Sequence, residues 1–185
     1  RSQMLAAAGA VVIDADQIAR SLTAAGGLAM PQIEVEFGAS AIDAQGALDR
    51  DFMRQLVFED PSARQRLEAI VHPLVGSLTE RQALQAEACG ARWLVFDIPL
   101  LVESGRWRPQ LHRILVVEAS HETQVERVMA RSAWPRETVE RVIAQQATRA
   151  VRRAAADGII HNEGKSLATL DAEVALLWAR WVAAR

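Results

Sequence analysis

The sequence predicts an α/β fold built on a parallel sheet, and three observations carry that expectation. Short apolar, largely β-branched runs end in carboxylates, as in Val11-Val12-Ile13-Asp14 and again at 92–98 and 113–118. An apolar run with polar residues at its C-terminal end is the pattern of a buried parallel strand. Stretches of helical periodicity separate these runs, and strands alternating with helices imply a parallel sheet. Half of the 185 residues are hydrophobic, enough for one domain with a sizeable core.

Residues 2–8, SQMLAAA, are strong helix formers that Gly9 stops. A helix feeding the strand at 11–14 is the second half of a βαβ unit, so a strand is expected before Arg1. From Gln17 to about Ala88 the chain reads as almost wholly helical, an excursion between the strand at 11–14 and the strand at 92–98. Gly38 ends one helix, Gly46 marks a turn, and Asp60-Pro61 starts another helix. Phe52, Leu56, Val57 and Phe58 fall near helical spacing. Pro73 is expected to bend or break its helix, which leaves His72 at a helix end with a satisfied hydrogen bond.

Ser120 is a predicted N-cap for a helix whose buried face is Val125, Val128 and Met129. Arg127 and Arg131, four residues apart, share another face of it. Beyond Trp134-Pro135, Val139, Val142 and Ile143 form the apolar stripe of an arginine-rich helix. Gly158-Ile159-Ile160-His161-Asn162 is a last strand. Ser166 then caps a helix with Leu167, Leu170, Val174, Leu177 and Trp181 at helical spacing. The tryptophans read as core or hinge packing.

No apolar run approaches the ~18 residues of a membrane span. The single cysteine, Cys89, excludes an internal disulfide and fits a reducing cytosol. A net charge of -2 gives no general reason to expect nucleic-acid binding. Basic charge is local: residues 127–153 hold seven arginines against two glutamates, which suits a compact anion and equally a solvated helical surface. The sole lysine lies in Gly164-Lys165-Ser166, the tripeptide that closes a phosphate-binding loop. That loop needs a glycine at 159, where Ile159 stands, and β-branched residues resist the φ > 0 conformations of a phosphate nest. Lys165 is therefore read as a turn residue and Ser166 as a cap.

Ligands of parallel sheets bind at the carboxyl ends of the strands. Asp14 and Asp16, Asp97 with Glu103, and Glu118 are expected at that edge, although a single carboxylate at a strand end is often a turn or cap residue. Arginines offer planar, forked recognition of phosphate, and a carboxylate can take the proton of an attacking hydroxyl. Together they suggest phosphoryl transfer to an alcohol. No His, Cys and Asp spacing resembles a zinc site.

Six segments in order carry a resemblance: GAVVIDADQIAR, FGASAIDAQGALDR, LEAIVHPLV, DIPLLVESG, VVEASHETQVERVMAR and AQQATRAVRRAAADGIIHNEG. Together they resemble the dephospho-CoA kinase family over essentially all 185 residues. The resemblance implies a P-loop NTPase-type parallel sheet flanked by helices, in one kinase domain. Its core would be 1–20, 92–131 and 157–185, its helical CoA-substrate region 21–91, and its lid about 132–153. It implies transfer of the ATP γ-phosphate to the ribose 3′-hydroxyl of dephospho-CoA with Mg²⁺, the last step of CoA biosynthesis, by a cytoplasmic monomer. Asp16 resembles the catalytic base and Arg127 the arginine that steadies the transferring phosphate. Asp14, Arg20, His72, Pro73, Leu100, Leu101 and Glu103 correspond to the substrate side. Arg131, Arg149, Arg153 and Asn162 correspond to the ATP and lid side.

Two departures stand out. The family's acidic residue after the Gln-Ala-Thr-Arg segment is Ala150 here. The family's central first strand, phosphate loop, loop lysine and Mg²⁺-binding Ser/Thr would precede Arg1, in about twenty residues ending in Gly-Lys-Ser/Thr. A polypeptide starting at Arg1 is accordingly expected to fold poorly and to be inactive. Another small-metabolite P-loop kinase, a non-catalytic descendant, and an α/β module unrelated to nucleotides are the competing readings.

Overall fold

The computed structural model describes residues 2–184. It divides into two compact units, one made of Gly9–Pro99 with Ser2, the other of Gln3–Ala8 and the chain from Leu100 onward. Helix α1 is Ser2–Ala7, ended at Gly9, whose φ of 93° suits glycine.

In the first unit, β1 (Val11–Asp14) and β2 (Leu94–Asp97) pair in parallel with Asp14 opposite Asp97. Between them in sequence come α2 (Ala15–Leu22), α3 (Met30–Phe37), α4 (Arg50–Glu59) and α5 (Pro61–Ala88). Ile13 joins a core with Ile18 and Leu22 of α2, Met30 and Ile33 of α3 and Met53 of α4. Against it pack Leu67, Ile70, Val71, Leu74, Val75 and Leu78 of α5.

That packing explains a departure from expectation. Helix α5 runs through Pro73 without a break. Proline inside a helix removes a backbone hydrogen bond and costs about 3 kcal/mol. Fully burying an aliphatic side chain returns about 1.5–3 kcal/mol, so the half-buried aliphatic residues flanking Pro73 together offset that cost. His72 therefore lies within α5, exposed, and not at a helix end. Asp60 caps α5, accepting from the Ser62 N–H at 2.9 Å, and Gly38 ends α3, both as expected. Phe58, near helical spacing with Phe52 and Leu56, is 89% exposed, because α4 turns Met53 to the core instead.

In the second unit, β3 (Leu115–Glu118) and β4 (Gly158–His161) pair in parallel with Glu118 opposite His161. Around them run α6 (Leu101–Ser104), α7 (His121–Ser132), α8 (Arg136–Ala144), α9 (Arg149–Ala155) and α10 (Leu167–Ala183). Ile114, Val116, Val125, Val139, Ile160, Leu170 and Val174 are buried. Gly158 has a packing reason to be glycine. A Cβ there would stand 2.8 Å from Cζ2 of Trp181 and 3.0 Å from Cδ2 of Leu177, so α10 approaches β4 where a larger residue would push it away.

Both middle strands are shorter than the predicted 92–98 and 113–118, since each ladder extends only as far as its four-residue partner. Helices α7 and α8 each bury one central residue, Val125 and Val139, and leave Met129 and Val142 exposed, contrary to the predicted stripes. Leu167, at 77% exposure, is the first residue of α10, one turn ahead of buried Leu170. Trp134 is exposed in the connection from α7 to α8, not packed in a core. Among the described residues the strands form two separate parallel pairs, and no helix is long and apolar enough to cross a membrane.

Candidate active site

The carboxyl edge of the first unit holds three aspartates with different duties. Asp14 closes β1 and caps α2, its Oδ1 accepting from the Gln17 N–H at 2.9 Å. Asp97 closes β2 and accepts from the Ser2 hydroxyl. Asp16 was expected at the strand end, but β1 stops at Asp14 and Asp16 sits in the first turn of α2. Its carboxylate is exposed and makes no hydrogen bond or ion pair among the described residues. Of the three it alone has its proton-accepting oxygens uncommitted. Arg20, one turn further along α2, shares its face and is exposed. His72 and Pro73 are exposed on α5.

In the second unit the strand-end carboxylate is Glu118, only 4% exposed. Thr148 caps α9, which places Arg149 and Arg153 one turn apart and both onto that carboxylate. Arg153 donates from Nε at 3.0 Å and from Nη2 at 2.9 Å, and Arg149 from Nη2 at 3.0 Å. His161 Nδ1 stands 3.5 Å away. The Arg153 hydrogen bonds, then those of Arg149, hold the Glu118 carboxyl at about 2 against the opposing effect of burial. Arg149 and Arg153, expected on the ATP and lid side, are thus brought together, but on a buried glutamate.

Asn162 donates its backbone N–H to the Glu118 carbonyl at 2.7 Å, which continues the β3–β4 ladder past His161. Arg127 and Arg131 are exposed on α7, one turn apart as predicted. Arg136 at the start of α8 pairs with Glu122 of α7 and with Glu140 at 3.1 Å. Leu100 adopts φ 53°, a left-handed conformation that costs a bulky residue energy and tends to occur at functional turns. Leu101 and Glu103 follow it in α6, where Glu103 accepts from the Ala147 N–H at 2.7 Å. Glu103 was expected at the substrate cleft. Here it fastens the turn that leads into α9.

Glu163 was missed altogether. The signal was present, an acidic residue in the turn after a parallel strand, but its partners Ser120 and Thr123 lie 43 and 40 residues away. Hydrogen bonds from Ser120, then from Thr123, hold its carboxyl at about 2.

Lys165 binds Glu173 with Nζ–O distances of 2.5 and 2.7 Å, and Ser166 caps α10 by accepting from the Thr169 N–H at 3.1 Å. Gly158 belongs to β4 itself, so no glycine-rich loop precedes this lysine. Lys165→Ala should leave the KM for ATP unchanged in steady-state assays and cost at most about 1 kcal/mol of stability, the scale of a surface ion pair. A tenfold rise in KM would restore this lysine as a phosphate ligand.

Three comparisons bear on these features. The family model described as dephospho-CoA kinase matches residues 1–168. The dephospho-CoA kinase of Bordetella pertussis is 52% identical over 183 residues, covering 98% of this chain and 84% of its own length. Among solved structures, that of TT1252 from Thermus thermophilus superposes with a TM-score of 0.73 at 34% identity, covering 96% of this chain and 88% of its own. A dephospho-CoA kinase from Campylobacter jejuni shares the fold, with a TM-score of 0.68 at 22% identity over 96% of this chain and 87% of its own.

Proposed function

The chain belongs to the dephospho-CoA kinase family, and from that premise we propose how its residues divide the work of phosphorylating dephospho-CoA with ATP. The family reaction completes CoA, and the fold is that of the P-loop kinases. The competing readings as an unrelated module or another kinase class fall with the 52% identity over nearly the whole chain.

Asp16 is the base. The observation that carries this is its uncommitted carboxylate at a sheet edge where Asp14 and Asp97 are already engaged. In the transfer, the dephospho-CoA hydroxyl oxygen forms a bond to the γ-phosphorus. The bond from that phosphorus to the β,γ-bridging oxygen breaks, ADP departs with the electron pair, and the hydroxyl proton passes to Asp16. Asp14 holds the N-terminus of α2 and so fixes where Asp16 points. Arg20, His72, Pro73, Leu100 and Leu101 contribute to holding the acceptor substrate.

Arg127 and Arg131 meet the phosphates, their forks matching oxygen pairs on the γ- and β-groups. Arg149 and Arg153 act from a lid helix anchored on Glu118, and Asn162 lies on the adenine side. Mg²⁺ would travel with the phosphates of ATP and neutralise charge there. Among the described residues no three His, Cys, Asp or Glu side chains gather to hold a metal ion. Arg127→Lys keeps the charge and loses the fork, and should lower kcat at least about tenfold, or 1.4 kcal/mol. Equal turnover with lysine would reduce Arg127 to a surface charge.

A further inference from the structure

Glu163 lies in the turn after β4, yet its carboxylate is devoted to α7. It accepts from the Ser120 hydroxyl at 2.6 Å, from the Ser120 N–H at 3.0 Å and from the Thr123 hydroxyl. Ser120 Oγ in turn accepts from the Thr123 N–H at 3.2 Å, the N-cap bond of α7. One carboxylate thus binds the cap residue twice and the first turn once, and it adds negative charge where the helix dipole is positive.

The face that Glu163 grips is the face that carries Arg127. Thr123 and Arg127 are one turn apart, and Ser120 is nearly two turns from Arg127. The Arg127 guanidinium is near enough to act electrostatically on the Glu163 carboxyl, behind the larger effects of Ser120 and Thr123. We propose that Glu163 is a positioning residue for Arg127, fixing the rotation of α7 and the direction of the guanidinium for the phosphoryl group. The link joins the turn after β4, which begins at Asn162, to the helix that presents the phosphate-binding arginines.

This inference rests on the reading of Arg127 as the phosphate-steadying residue, and a double-mutant cycle separates the two. Steady-state kcat, both KM values and the melting temperature are measured for the enzyme with Glu163→Gln, with Arg127→Ala and with both. Glutamine keeps the size and an acceptor oxygen, so the cap is retained in part while the charge is lost. Glu163→Gln should lower kcat about tenfold and leave the KM for dephospho-CoA within about twofold. In the Arg127→Ala background the same change should lower kcat by less than a further twofold or so, because the residue it acts through is gone.

A purely structural cap would lower the melting temperature and reduce kcat equally in both backgrounds, which overturns the proposal. Unchanged kcat in Glu163→Gln with Arg127 present also overturns it. Wild-type kcat in Arg127→Ala removes the reading of Arg127 and this inference together. A clear loss in Arg127→Ala with multiplicative effects in the cycle removes the inference alone. If Glu163→Gln does not fold, Glu163→Asp takes its place in the cycle, with a smaller loss and the same absence of a further effect expected.

Discussion

In the full-length enzyme, Asp16→Asn should lower kcat by about 10²–10⁴-fold with little effect on folding. The amide matches the carboxylate in shape but takes up no proton, so the hydroxyl of dephospho-CoA must attack the γ-phosphorus while still protonated. Stability should change little, since the Asp16 carboxylate is exposed and makes no hydrogen bond or ion pair among the described residues. Loss of its favourable position in the first turn of α2 costs about 0.3–1 kcal/mol. A coupled assay for ADP alongside a thermal melt checks both halves. Near-normal turnover would move the base to Asp14, whose carboxylate would then have to leave the Gln17 N–H.

Glu118→Gln should give the largest effect on stability. Glu118 is the buried end of β3 and receives the hydrogen bonds of Arg149 and Arg153. Removing its charge leaves two guanidinium groups beside each other without a counter-ion. Losing one partner of a buried pair costs about 3–5 kcal/mol. The arginine side chains are 54% and 45% exposed, so solvent screening lowers the expectation to about 1–3 kcal/mol. That corresponds to a melting temperature about 3–10 °C lower. The pH dependence has a definite sign. The Glu118 carboxyl is lowered from 4.5 to about 2, so its contribution is full above 4.5 and is lost as pH falls towards 2. The wild-type melting temperature should therefore drop more steeply than that of Glu118→Gln across this acid interval. Parallel curves would show that Glu118 is not held ionised by α9.

Local signals made much of this fold legible. The β-branched runs, the caps Ser120, Ser166 and Asp60, and the stop at Gly38 each lie within a few residues of what they specify. The failures share a cause, which is that tertiary packing decided them. Pro73 lies in a helix because apolar, half-buried residues on either side of it pack against the core. Phe58, Met129, Val142 and Leu167 have helical spacing, but each helix meets its neighbours along a line narrower than that spacing suggests. In the site, carboxylates could be placed at strand ends but their commitments could not. Asp14 is engaged by its own helix, Glu103 by a residue 44 positions away, and Glu118 by residues 31 and 35 away. At the carboxyl edge of the first unit Asp14 and Asp97 are engaged, and Asp16 is the aspartate left uncommitted.

The most direct test of Asp16 as the base is a rapid-quench, single-turnover measurement of phosphate transfer from γ-labelled ATP to dephospho-CoA. It is run on Asp16→Asn and Asp14→Asn side by side, with enzyme in excess so that product release does not enter. Asparagine caps a helix about as well as aspartate, so Asp14→Asn preserves the start of α2. The expected result is a loss of transfer rate in Asp16→Asn at least about tenfold greater than in Asp14→Asn, and of order 10² or more against wild type. Equal losses in the two variants, or a greater loss in Asp14→Asn, would contradict the assignment of the proton to Asp16.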